Sequence, residues 1–245
     1  MTPLWAVEAG ARFWEAAGGR PPGFPRDLRH SVAIATPLAV ADLPKLDTAA
    51  IARWTSAMGL PLSGPSKQRP LRAALYASAH GGFVFLDSED PTDEQRYSLA
   101  HEVAHFLIEF VERRRRAAAR VGRSVLDAID GTRAPTAAER MNAALAGFDL
   151  RPHLHLFERA ASGLPRTPAA SHAEAQADVL AIELLAPVDV VQHVCPAGVP
   201  AQQAALRLSE TFGLPADVAT AHARELAPAK NPRFRHLLPV HEAVE

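Results

Sequence analysis

The chain has a single cysteine, almost no net charge and no long apolar run, and each shortage removes a class of explanation. One Cys among 245 residues rules out an internal disulfide framework and suits a reducing compartment. No stretch approaches the roughly 18 consecutive apolar residues a bilayer span needs, and no early Lys/Arg followed by an apolar core marks a signal peptide, so a cytoplasmic protein without a membrane partner is expected. Basic and acidic residues balance, 26 against 27, so nothing global points to nucleic acid or to a charged surface. The length allows one large domain or two small ones, with enough residues to bury a core.

What the chain does have is the stretch Arg96 to Leu107, RYSLAHEVAHFL. His101 and His105 stand four apart, so on a helix they share one face, close enough to bind one Zn²⁺ through ring nitrogens. Glu102 projects from a neighbouring angle, where it can reach water at that metal and serve as a general base. Leu99, Val103, Phe106 and Phe110 form an apolar stripe beside the histidine face. Thr92 with Gln95 fits a capping box, and Asp93 and Glu94 suit the positive end of the helix dipole. Two histidines on a solvated helix would show the same spacing, so a third ligand is needed. The segment from Ala173 to Pro187 reads as a second helix, with Ala177, Leu180 and Leu184 on one side and Glu174 and Asp178 on another. In a site of two His and one Glu, Glu174 would supply the third bond and Asp178 would accept the free N–H of a ligating histidine.

RYSLAHEVAH followed by EAQADVLAIELLAP resembles the ImmA/IrrE-type zinc metallopeptidases, in which an aromatic-x-L-A-H-E-x-x-H helix precedes an E-x-x-A-(N/D) helix ending in L-L-x-P. The likeness covers about residues 70 to 110 and 172 to 190 and is weaker after Pro200. It implies His101, His105 and Glu174 as Zn²⁺ ligands and Glu102 as the base of a gluzincin-like metalloendopeptidase. The implied fold is α+β and zincin-like, mostly helical, with a small antiparallel-containing sheet beside the HExxH helix. The implied substrate is a helix-turn-helix repressor, cut to release a stress, phage, DNA-damage or antiviral-defence operon. The competing expectation is a catalytically idle zincin-fold module that sequesters a repressor or binds DNA.

The chain departs from the compact pattern in one respect: 69 positions separate His105 from Glu174. We read residues 1–245 as one domain with a helical, Arg-rich insertion at about 111–170. Within it Arg113, Arg114, Arg115, Arg116, Arg120 and Arg123 would make a basic surface for phosphates or an acidic partner, with single-stranded DNA as a possible activator. A merely solvated face is the competing reading, since no aromatic residues are interleaved. Residues 125 to 147 continue as helix, broken at Gly131 to Pro135. His153 and His155 are spaced as on a strand and read as surface or core histidines rather than ligands.

Elsewhere, residues 4 to 17 and Thr48 to Met58 are expected as helices and Ser31 to Ala35 as a short strand. Leu71 to Ala79 and Phe83 to Leu86 are expected as a hairpin around His80-Gly81-Gly82. One hairpin edge could hold a peptide by β-augmentation. Cys195, in HVCPAGVP after the second helix, is either an inhibitory fourth zinc ligand or a small buried residue. Ala201 to Phe212 and Ala216 to Leu226 read as two helices, either a helix-turn-helix or a packing pair. His222, Arg233, Arg235 and His236 are candidates for stabilising an oxyanion, and Tyr97 reads as core.

Overall fold

The computed structural model describes residues 2–60, 68–78, 81–129, 133–134, 136–138, 153–158 and 168–226. The fold is α+β, with helices around a small mixed sheet. Strands β1 (Leu38–Leu43), β2 (Leu71–Ser78), β3 (Gly81–Asp87) and β4 (His153–Glu158) are ordered β1-β3-β2-β4. β1 runs parallel to β3, while β2 is antiparallel to both β3 and β4. The expected hairpin is present as β2 and β3. Ala79 and His80 of its turn lie outside the described residues, and Gly81 and Gly82 already belong to β3. A Cβ on Gly82 would stand 2.2 Å from the Tyr76 carbonyl oxygen, so only glycine allows the strands to approach there.

Alternation along the strands gives the sheet two apolar faces. Ala73, Leu75, Ala77, Val84 and Leu86 face the larger core. Leu71, Ala74, Tyr76 and Phe85 face a second cluster with Leu46, Ile51 and Trp54. A register shift between Leu71 and Ala73 places Leu71 on the opposite face from Ala73. The second cluster is closed by α3 (Thr48–Ala57), which starts at Asp47, whose side chain accepts from the Ala50 N–H. On the larger core lie α1 (Leu4–Ala16), α2 (Leu28–Ala35), α4 (Thr92–His105), α7 (Pro168–Leu185), α8 (Val188–Val194), α9 (Ala201–Phe212) and α10 (Ala216–Leu226). Between α4 and α7 come a π-helical turn, Phe106–Val111, then α5 (Glu112–Val121) and α6 (Val125–Ile129).

Two expectations of local structure are corrected. Residues 31–35 belong to helix α2, not to a strand: the Asp27 side chain accepts from Arg29 N–H and starts the helix, Leu28, Ser31 and Val32 bury one face, and the strand begins only at Leu38. The capping box at Thr92 is not formed. Thr92 is already helical behind Pro91, and the Gln95 amide donates instead to the Asp90 carbonyl at 2.7 Å. The continuation of α6 through residues 139–147 falls outside the described residues.

The helix α4 is buried without interruption from Tyr97 to His105, including Ser98, His101, Glu102 and His105. Such polar burial is costly unless every group is partnered. Tyr97 and His101 find theirs on α7, Glu102 on β4 and His105 on the π-helical turn that follows α4, while the Ser98 hydroxyl has none among the described residues. α9 and α10 form a packed pair that buries Leu208, Phe212, Leu214 and Ala219 in the larger core, in keeping with the packing reading.

Candidate metal centre

The site grows from one line of α4. His101 and His105, one turn apart, bring their Nε2 atoms to 3.1 Å from each other. Each ring is held from behind: His101 Nδ1 donates to Asp178 Oδ1 at 3.0 Å, and His105 Nδ1 donates to Glu109 Oε1 at 2.5 Å. With a cation bound and the proton held on Nδ1, both Nε2 lone pairs would be aimed at the same space. Glu174 Oε2 from α7 completes a triangle, 3.3 Å from His101 Nε2 and 3.7 Å from His105 Nε2. Bonds of about 2.0–2.1 Å at tetrahedral angles would put donor atoms about 3.4 Å apart, so the triangle fits a small divalent cation. His155 joins this group, and one ligand atom from each of His101, His105, His155 and Glu174 lies within 4.8 Å of the others. These residues could hold a metal ion.

Glu109 and Tyr97 extend the arrangement along α4 and its continuation. The π-helical turn after His105 carries Glu109 to the His105 ring. Tyr97, one turn before His101, is buried as expected, but its hydroxyl also donates to Asp178 Oδ1 at 2.7 Å. Asp178 thus accepts from both Tyr97 and His101, and burial with the Asp178 charge pushes the Tyr97 hydroxyl well above its usual pKa.

His155, expected as a surface or core histidine and not as a ligand, is instead brought into the donor group. It sits on β4 opposite Leu75 of β2, with Nδ1 2.9 Å from Glu102 Oε2 and 3.1 Å from Oε1, and with Nε2 2.8 Å from Glu174 Oε1. Both nitrogens therefore donate to carboxylates. Burial alone would lower its pKa, but the charge of Glu102 and the hydrogen bonds to Glu102 and Glu174 push it up to about 10. His101 is likewise raised to about 9, burial being outweighed by its bonds to Asp178 and Glu174. Glu102 is fully buried, which favours its neutral form, yet the His155 charge holds it below the ordinary carboxylate range. Glu174 lies well below that range because three imidazoles bond to it, against the effect of burial. The rings also stack: His155 lies on His105 with centroids 3.6 Å apart, and Phe157, two residues along β4, lies on His101 at 4.3 Å. The only signal in the sequence is alternation, which puts positions 155 and 157 on one strand face without saying which helix that face meets.

The other expected site residues lie elsewhere. Cys195 is not brought into the cluster: it stands at the C-terminal end of α8, where its Sγ lies 3.8 Å from the Ala204 carbonyl. Burial raises its thiol pKa, away from the thiolate a ligand would need. Arg113, Arg114, Arg115 and Arg116 lie on α5. Arg115 and Arg116 pair with Glu112, and the Arg114 guanidinium stacks 5.2 Å from the Phe110 ring. Arg113, Arg115, Arg116, Arg120 and Arg123 are exposed. His222 is buried on α10, outside the four-residue group, and burial lowers its pKa. Arg233, Arg235 and His236 are outside the described residues. Among the described residues no helix is long and apolar enough to cross a membrane. No family model and no curated protein matches the chain.

Proposed function

We propose that this protein is a zinc-dependent endopeptidase of zincin-like fold, acting in the cytoplasm. The observation that carries the reading is the pair of Nε2 atoms 3.1 Å apart, each ring backed by a carboxylate, with Glu174 closing the triangle and Glu102 buried beside it. Two or three imidazoles with one carboxylate suit Zn²⁺ among the common metals. Zinc, when bound, would polarise a scissile carbonyl and acidify water. The chain's own residues do the rest. Glu102, held ionised, takes a proton from water and passes it to the leaving amine. Asp178 and Glu109 keep the two α4 rings in the ligating tautomer.

The substrate proposed is a helix-turn-helix repressor, cleaved to release a stress, phage or antiviral-defence operon, on the strength of the resemblance to ImmA/IrrE-type peptidases. Glu102→Gln tests the mechanism: cleavage of a co-expressed repressor should fall at least 100-fold while zinc content is unchanged. A second reading, an idle module that sequesters a repressor or binds DNA, is favoured by one observation: both Glu102 oxygens are already engaged by His155. Under that reading Glu102→Gln leaves derepression intact.

The exposed arginines of α5 are the proposed contact for single-stranded DNA as an activator. Arg113, Arg116 and Arg120 share one helical face. Replacing Arg113 to Arg116 by Ala should weaken retention of a single-stranded oligonucleotide on a filter and flatten its salt dependence, since every phosphate no longer neutralised lowers the slope by about 0.7. An unchanged slope removes DNA as the partner of this face.

A further inference from the structure

We propose that β4 is a tethered occupant of the place a peptide substrate would take, and that His155 keeps the site closed until β4 leaves the edge of β2. The proposal rests on the hydrolase reading above and concerns how that site is controlled. Four observations meet here. His155 is the fourth member of the donor group, and where a cation displaces its Nε2 proton, a tetrahedral ion held by four protein side chains would have no position left for water or a carbonyl. The same ring holds both oxygens of Glu102 through its Nδ1–H, so the buried base beside the cluster is turned toward His155 and not toward water. Phe157 and His155 cover the faces of His101 and His105. Finally, among the described residues β4 is an edge strand, paired antiparallel to β2 alone, in the manner in which an extended peptide adds to a sheet.

These are separate contacts made by one short strand, so they are released together. Departure of β4 bares the β2 edge from Leu71 to Ala77, frees Glu102 and opens the fourth side of the cluster in a single step. A substrate segment pairing with β2 in place of β4 would then lie across the cluster. The residue that closes the site and the strand that fills the groove are thus one element, in contrast to a ligand carried on a loop.

The test uses the full chain loaded with zinc and a leucine-containing tripeptide hydroxamate, whose binding is read by calorimetry and requires no turnover. Zinc content is measured first. A wild-type chain that takes up no stoichiometric zinc overturns the hydrolase reading and this inference with it. With zinc present, His155→Ala should bind the hydroxamate at least tenfold more tightly than wild type, and equal or weaker binding overturns the inference while leaving the hydrolase reading standing. A second variant is independent of how well His155→Ala folds. Ala74 and Leu156 are opposite one another in the β2–β4 register and pack on the sheet face away from the cluster. In a Cys195→Ser background, Ala74→Cys with Leu156→Cys would staple β4 to β2. The oxidised form should bind the hydroxamate at least tenfold more weakly than the same protein after reduction. Equal affinity in the two states overturns the requirement that β4 leave.

Discussion

Tyr97, His101, His105 and Glu109 stand four residues apart on one continuous line of helix, and each belongs to the candidate ligand cluster or touches a group that orients it. All are within reach of a helical count from His101, yet only the histidines announce themselves as site residues, because Tyr and Glu at that spacing are ordinary helix residues until their partners are known. His155 is hidden for a different reason. Its partners Glu102 and Glu174 come from two helices, and nothing in a short strand records which face of which helix it will meet. Glu183 allows a prediction at this scale. It is buried, accepts the Val188 N–H at 3.1 Å, and burial raises its pKa, with the Asp189 charge adding to the shift. A carboxyl whose folded pKa lies above its unfolded value contributes stability present below the unfolded pKa of about 4.3 and lost as pH rises through the folded value. Glu183→Gln keeps the acceptor and removes the titration. Its melting temperature should match wild type near pH 4 and exceed it at pH 7, and a difference that does not vary with pH would count against the burial argument.

At the scale of elements, α3, the β2–β3 hairpin, α7, α9 and α10 are legible because apolar periodicity and breakers agree. α2 is not, since Val32 and Ile34 weigh toward a strand while a single cap decides for a helix. Asp27 supplies that cap, accepting from Arg29 N–H at 2.9 Å, and Arg29 goes on to pair with Asp42 at the end of β1. Asp27→Ala should therefore cost about 1 kcal/mol in unfolding free energy, measured by denaturant titration. β4 shows in the sequence only as the strand-like spacing of His153 and His155, and its place at the edge of β2 is set by pairing over a long separation. Local pattern carries no information on such pairings.

For the whole molecule, the candidate ligands arrive from α4, α7 and β4, so a bound cation would tie two helices to the sheet edge. Anything that binds the folded chain alone raises its stability by mass action, by about 2.7 kcal/mol at a hundredfold excess over the dissociation constant. Chelation should lower the melting temperature, restoring zinc should raise it with the logarithm of free zinc, and Glu174→Ala should abolish that dependence. The π-helical turn Phe106–Val111 links the cluster to the arginines of α5. Wound with i→i+5 bonds, it takes up more chain per turn than the α-helices on either side, and each extra residue rotates the next helix by about 100° about the axis. The bearing of Arg113, Arg116 and Arg120 is therefore geared to the same six residues that bring Glu109 to His105. A change in the length of this turn would swing the basic face around the axis and unseat the ring of a candidate ligand in the same movement.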